Sequence, residues 1–131
     1  MKSLFATLAL FTLPLLSFAA PVDGTFGLHL FFDEKEFVDV LILRTKGDGT
    51  LSGHMSVPND FEGEIQEIHL IGDRISFDLP VPKNAARPQD LLFHYEGTFF
   101  PGSRDQFNGF VTLKAKPGFV ASFVAFRRKG E

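Results

Sequence analysis

VLILRTKGDGTLSGHMSV, Val40 to Val57, holds two β-rich runs around Asp48-Gly49. An Asp-Gly pair between such runs is a strong short-range hairpin signal, because the tight turns that match strand twist need central residues that tolerate positive φ. With Asp48-Gly49 as a two-residue loop, Met55 falls opposite Ile42 and Val57 opposite Val40. Val38, Val40, Ile42, Met55 and Val57 then share one apolar face, and Ser52, His54 and Ser56 take the other.

The same punctuation recurs along the chain. Gly72-Asp73 sets Leu70 opposite Ile75 and Ile68 opposite Phe77, with Glu67, His69, Ser76 and Asp78 on the wet side. Pro117-Gly118 marks the last turn. There a two-residue loop pairs Phe123 with Thr112 and Val124 with Val111 and leaves both faces partly apolar, so a bulge or a longer loop is expected to reset the register. Reading outward from the turns gives eight predicted strands, about 25–33, 36–45, 50–58, 61–71, 74–80, 90–99, 106–115 and 119–128. No apolar pattern of period 3.6 lasts the length of a helix, although FDEKEFVDVLIL, Phe32 to Leu43, has room for one helical turn around Glu34.

Eight antiparallel strands with mostly short connections form either a closed meander or a two-sheet sandwich, and a Greek-key sandwich needs long crossings. The one long connection runs from Pro80 to Asp90. The expected fold is therefore all-β, an eight-stranded antiparallel up-and-down barrel, whose closure removes exposed edges.

Ahead of it, MKSLFATLALFTLPLLSFAA combines an early lysine, an apolar run from Leu4 to Leu16 and small residues at Ser17 and Ala19, the layout of a secretory signal peptide. The apolar run is short for a membrane span and contains Pro14. Cleavage after Ala19 is expected, leaving one domain over residues 20–131 that is secreted or periplasmic. With Lys2 removed, 12 basic face 16 acidic side chains, which argues against nucleic acid or an anionic membrane as partner. The absence of cysteine excludes disulfides, thiol catalysis, Cys-ligated zinc and iron–sulfur chemistry, and leaves stability to the core.

DGTFGLHLFF (Asp23–Phe32) opens the first predicted strand with Gly-x-aromatic, and VASFVAFRRK (Val120–Lys129) closes the last with two arginines. In an eight-stranded meander this resembles the calycin superfamily of lipocalins, fatty-acid-binding proteins and avidins. There the motif is Gly-x-Trp, and a basic side chain of the last strand packs across the ring to close one end. The resemblance implies that Gly24, Phe26 and Arg127, with Arg128 as the alternative arginine, are the closing set, with phenylalanine in place of tryptophan. A guanidinium over an aromatic face contributes about 0.5–2 kcal/mol. The resemblance is to a small exported lipocalin-like domain and implies a binding protein.

The residues themselves point the same way. Four histidines, His29, His54, His69 and His94, alternate with apolar neighbours and are expected on the solvated face; only His54 and His69 lie on adjacent strands, so no metal site is expected. No serine stands in a Gly-x-Ser-x-Gly turn, Asp33, Glu34 and Glu36 read as a turn's solvated charges, and neither an enzyme nor a cofactor is expected. Fourteen phenylalanines follow the signal segment. An eight-stranded barrel is just wide enough either to be filled by such side chains or to hold one small ligand.

The ligand reading places a small apolar molecule in a cup lined by Met55, Phe77 and Phe93 and oriented by Arg44, opposite Gly53, and Tyr95. Solvation at the barrel end is the alternative for Arg44. A second reading uses Lys83 and Arg87 of the Pro80–Asp90 loop to engage a protein, in the manner of a protease or lysozyme inhibitor. A third is a structural envelope module with a full core. A monomer is expected throughout.

Overall fold

The computed structural model describes residues 22–129; the expected signal peptide lies outside them. The chain runs β1 (Gly24–Phe32), β2 (Lys35–Thr45), β3 (Leu51–Val57), β4 (Phe61–Glu64), β5 (Gln66–Ile71), β6 (Arg74–Val81), β7 (Leu91–Phe99), β8 (Gln106–Leu113) and β9 (Lys116–Arg127). All pair antiparallel in one sheet of order β4-β3-β2-β1-β9-β8-β7-β6-β5. The first and last strands are therefore neighbours, from Phe26 opposite Arg127 to Phe31 opposite Ser122, and the sheet curls into a nearly closed up-and-down barrel. The segment after Phe32 is strand, with Asp33 and Glu34, both at positive φ, forming the tight turn into β2.

The count is nine strands rather than eight. The stretch 61–71 changes partner at Ile65: Phe61–Glu64 pairs with β3, and Gln66–Ile71 pairs with β6. Glu67 at φ 52° and a register shift between Gln66 and His69 mark the bend. The two sheet edges are thus joined by a single residue. The Ile65 amide donates to the Gly53 carbonyl (3.0 Å), and its side chain fills the space a Cβ on Gly53 would need.

The register of the β2–β3 hairpin also differs from the expected one. Lys46 N–H donates to Thr50 O (2.7 Å) and Gly49 N–H to Lys46 O (3.0 Å), with Gly49 at φ 88°. The loop therefore holds three residues, Gly47 to Gly49, and the extra residue slides the strands by one, pairing Leu41 with Met55 and Leu43 with Gly53. Because the side-chain period is two, the slide turns β2 over. Asp39, Leu41 and Leu43 face inward, while Val38, Val40, Ile42 and Arg44 face outward. At Gly72-Asp73 the expected pairing of Leu70 with Ile75 holds, and the bulge interrupts it before Ile68. In the last hairpin the turn lies at Lys114-Ala115, and Pro117 to Phe119 form a large bulge that resets Val111 to Ala121.

The two ends of the barrel differ. One end, formed by the start of β1, the β2–β3, β5–β6 and β7–β8 turns and the end of β9, is packed solid. Phe107 lies at its centre, with ring centroids 5.4 Å from Phe26, 4.8 Å from Phe99 and 5.7 Å from Phe123, and all four side chains are buried. Two arginines lie across this plug: Arg127 over Phe26 at 4.8 Å and Arg104 over Phe99 at 4.9 Å. Arg127 donates to Asp23 O, to Arg104 O (2.7 Å) and to Asp105 (3.0 Å), tying β1, β9 and the β7–β8 turn together. Gly24, at φ 147°, lies against that guanidinium, whose Nη1 takes the space a Cβ at this position would need. Arg104 is fixed in turn by Asp73 and Gly72 O, each at 3.0 Å.

Candidate functional site

The opposite end is open. A cavity of about 450 Å3 enters the barrel between the β1–β2, β3–β4, β6–β7 and β8–β9 connections. Its upper wall is aromatic, with Phe32, Phe37, Phe61, Phe93 and Phe119, and aliphatic residues such as Leu30, Val57, Leu79 and Val111 line it further in. The bulge at Pro117-Gly118 is what places Phe119 here, 4.7 Å from the Phe32 ring and 6.2 Å from Phe93.

Two polar groups open onto the inner part of this cup, Asp39 from β2 and Tyr95 from β7. Asp39 is only 4% exposed and is the one charged side chain in the buried set of the described residues. No hydrogen bond or ion pair from any described residue reaches its carboxylate, and the Tyr95 hydroxyl has no such partner either. Among the described residues no fully buried side-chain oxygen lacks a partner, so the oxygens of both groups keep some accessible surface, and both residues line the cavity. Burial first, and then the like charge of Asp60, push the Asp39 pKa up to about 6. Burial also raises Tyr95, with the charge of Asp39 adding to it, so the phenol stays neutral. The Tyr95 ring is held by stacking on Phe77 (4.7 Å) and an edge contact with Phe123.

The rim carries the remaining charges. Arg87, in the β6–β7 loop, meets Asp60, in the β3–β4 turn, at 3.4 Å and also donates to Pro82 O. The loop is itself braced, by Asn84 and Arg87 exchanging backbone hydrogen bonds and by Asp90 accepting from Lys83 N–H (2.8 Å). Lys116 stands at the mouth where β9 begins.

Of the residues expected to meet a ligand, Phe93 and Tyr95 line the cup. Met55 and Phe77 belong to the packed layer one step deeper than Val57 and Leu79. Arg44 is exposed on the outer face and faces Ser52, the consequence of the one-residue slide; the space at Gly53 is taken by Ile65. Arg87 lines the rim, whereas Lys83 is exposed beside it. The four histidines sit on the outer face, each beside an acidic side chain: His29 with Glu36 (2.5 Å), His54 with Glu64 (3.2 Å), His69 with Glu67 (3.9 Å) and His94 with Asp78 (2.6 Å). The bonds to Asp78 and Glu96 raise the His94 pKa. Among the described residues no three His, Asp or Glu side chains are grouped to hold a metal ion.

No protein family, curated protein or solved structure matches this chain. The function therefore has to be argued from the cup.

Sequence reasoning did not single out Asp39, Phe32, Phe37, Phe61 or Phe119. For Asp39 the signal was available: it interrupts the apolar inner row Asp39-Leu41-Leu43, and a carboxylate in such a row, once the loop length is known, points at a site.

Proposed function

We propose that this chain is an exported, calycin-like binding protein that carries a small, largely apolar molecule in the open end of its barrel. The observation that supports this most is the contrast between the two ends. One is filled by Phe26, Phe99, Phe107 and Phe123, while the other leaves about 450 Å3 lined by aromatic and aliphatic side chains. Ligand sites are typically concave, mostly apolar and supplied with a few orienting polar groups, as Asp39 and Tyr95 are here. The arginine laid across Phe26 at the filled end adds support for the calycin-like reading.

Titration with the neutral fluorescent probe N-phenyl-1-naphthylamine tests the reading. The expected result is saturable uptake at one site, and Leu30→Trp, which puts a bulky indole into the cup from β1 in place of an isobutyl group, should weaken it by roughly tenfold or more. Uptake that is absent, or unaffected by Leu30→Trp in a variant that still folds, would contradict it. In that case the braced loop from Pro82 to Asp90 becomes the better candidate, as a surface for a protein partner.

A further inference from the structure

Given that the cup is a ligand site, we propose that its ligand carries a positively charged amine that docks on the Asp39 carboxylate, with an apolar body directed towards the aromatic mouth. The argument starts from a carboxylate that the fold leaves incomplete. A buried charge without a hydrogen-bond or ionic partner is strongly unfavourable, and proteins normally pair it. Asp39 sits in the inner wall among Leu, Val and Phe side chains, with Tyr95 as the other polar group there, yet no described residue hydrogen-bonds to it or pairs with it.

The charged and titratable groups around the cup do not supply the missing partner. Tyr95, on the facing part of the wall, is a neutral phenol. Asp60 adds charge of the same sign. The Arg87 guanidinium is held at the rim by Asp60 and Pro82 O, and Lys116 belongs to the exposed mouth. An ammonium group entering the cup would pair with Asp39 between largely apolar walls, where a charge-assisted hydrogen bond is stronger than in bulk water. The Tyr95 hydroxyl oxygen is free to accept a further N–H, and the aromatic ring faces favour a cation over an anion. A ligand ending in a carboxylate would meet Asp39 as a like charge. It would have to bind reversed, with its head at Arg87 and Lys116.

Three probes of matched chain, n-octylamine, 1-octanol and octanoate, separate these arrangements when each competes with N-phenyl-1-naphthylamine at pH 7.5. In the unaltered protein octylamine should compete at least about tenfold more strongly than octanol, with octanoate the weakest. In Asp39→Asn, octylamine and octanol should compete about equally for the dye, whereas Phe110→Ala, on the outer face, should keep the full amine advantage. In the unaltered protein the advantage should also shrink below about pH 6, as Asp39 takes up a proton. Equal competition by amine and alcohol, or an amine advantage that survives Asp39→Asn, would overturn the headgroup assignment while leaving a ligand site in place. Octanoate as the strongest competitor would overturn it in favour of the reversed arrangement. Exclusion of the dye itself would overturn both this assignment and the ligand-site reading.

Discussion

Replacing Phe107 with alanine is expected to remove about 3–5 kcal/mol of stability, measured by urea unfolding. Phe107 is fully buried at the filled end, with its ring within 6 Å of those of Phe26, Phe99 and Phe123. The loss has two parts, the transfer of a phenyl group back to water and the hole left among three rings that cannot all move in. Phe26 is held under Arg127, and Phe99 under Arg104, whose guanidinium is pinned by Asp73 and Gly72 O. Collapse into the hole is therefore limited, which puts the cost towards the upper part of that range. A domain of this size has roughly 5–15 kcal/mol in total, so the variant should be only marginally folded near body temperature. Phe110→Ala is the control. That ring is 59% exposed on the outer face of the same strand, and its loss should cost less than about 1 kcal/mol. Equal effects at the two positions would mean that the end is not packed as described.

Asp39→Asn should stabilise the free protein, by about 1–3 kcal/mol at pH 8 and by almost nothing at pH 3.5. The sign follows from proton binding. An unfolded aspartate loses its proton near 3.8, whereas the folded Asp39 retains it up to about 6. Between those values the folded state binds more protons than the unfolded one, so this group's contribution falls as pH rises through the window and is flat above it. Asparagine has nearly the same shape and does not titrate, so the difference between the two proteins isolates Asp39 from groups of opposite sign. Asp23 is one of these, its pKa lowered by hydrogen bonds from Thr45. Denaturant unfolding at a series of pH values provides the check. A variant that is less stable than the parent at pH 8 would mean that Asp39 holds the fold together. A residue that weakens the empty protein and strengthens binding is the pattern of a functional site.

The barrel itself was legible in the residues because turn chemistry and alternation agreed over most of the chain. Gly72-Asp73 carries a two-residue loop, so Leu70 meets Ile75 as counted. The β2–β3 hairpin misled for a physical reason. Its strand β2 is apolar on both faces, Val38, Val40 and Ile42 outward and Leu41 and Leu43 inward, so alternation cannot say which face is buried. The decision then fell to loop length, and Gly49, at φ 88°, closes a loop of three residues, Gly47 to Gly49, instead of two. Asp39 made matters worse, since a carboxylate among Leu41 and Leu43 gives the buried row a wet appearance.

The missed half of the site has the same origin. Arg44 was placed inside only because β2 was turned over. Phe119 comes to the mouth through a bulge whose register no hairpin rule specifies. The split of 61–71 into β4 and β5 reflects a curvature demand of the nearly closed barrel, which no local pattern at Ile65 announces.

The most direct measurement is native mass spectrometry of the protein isolated from the cells that make it, recorded before and after unfolding. An added small-molecule mass that leaves on unfolding, and is lost more readily from Asp39→Asn, is the expected result. A bare chain in both spectra, with no adduct after incubation with either N-phenyl-1-naphthylamine or octylamine, would contradict the view that the open end of this barrel is a ligand site.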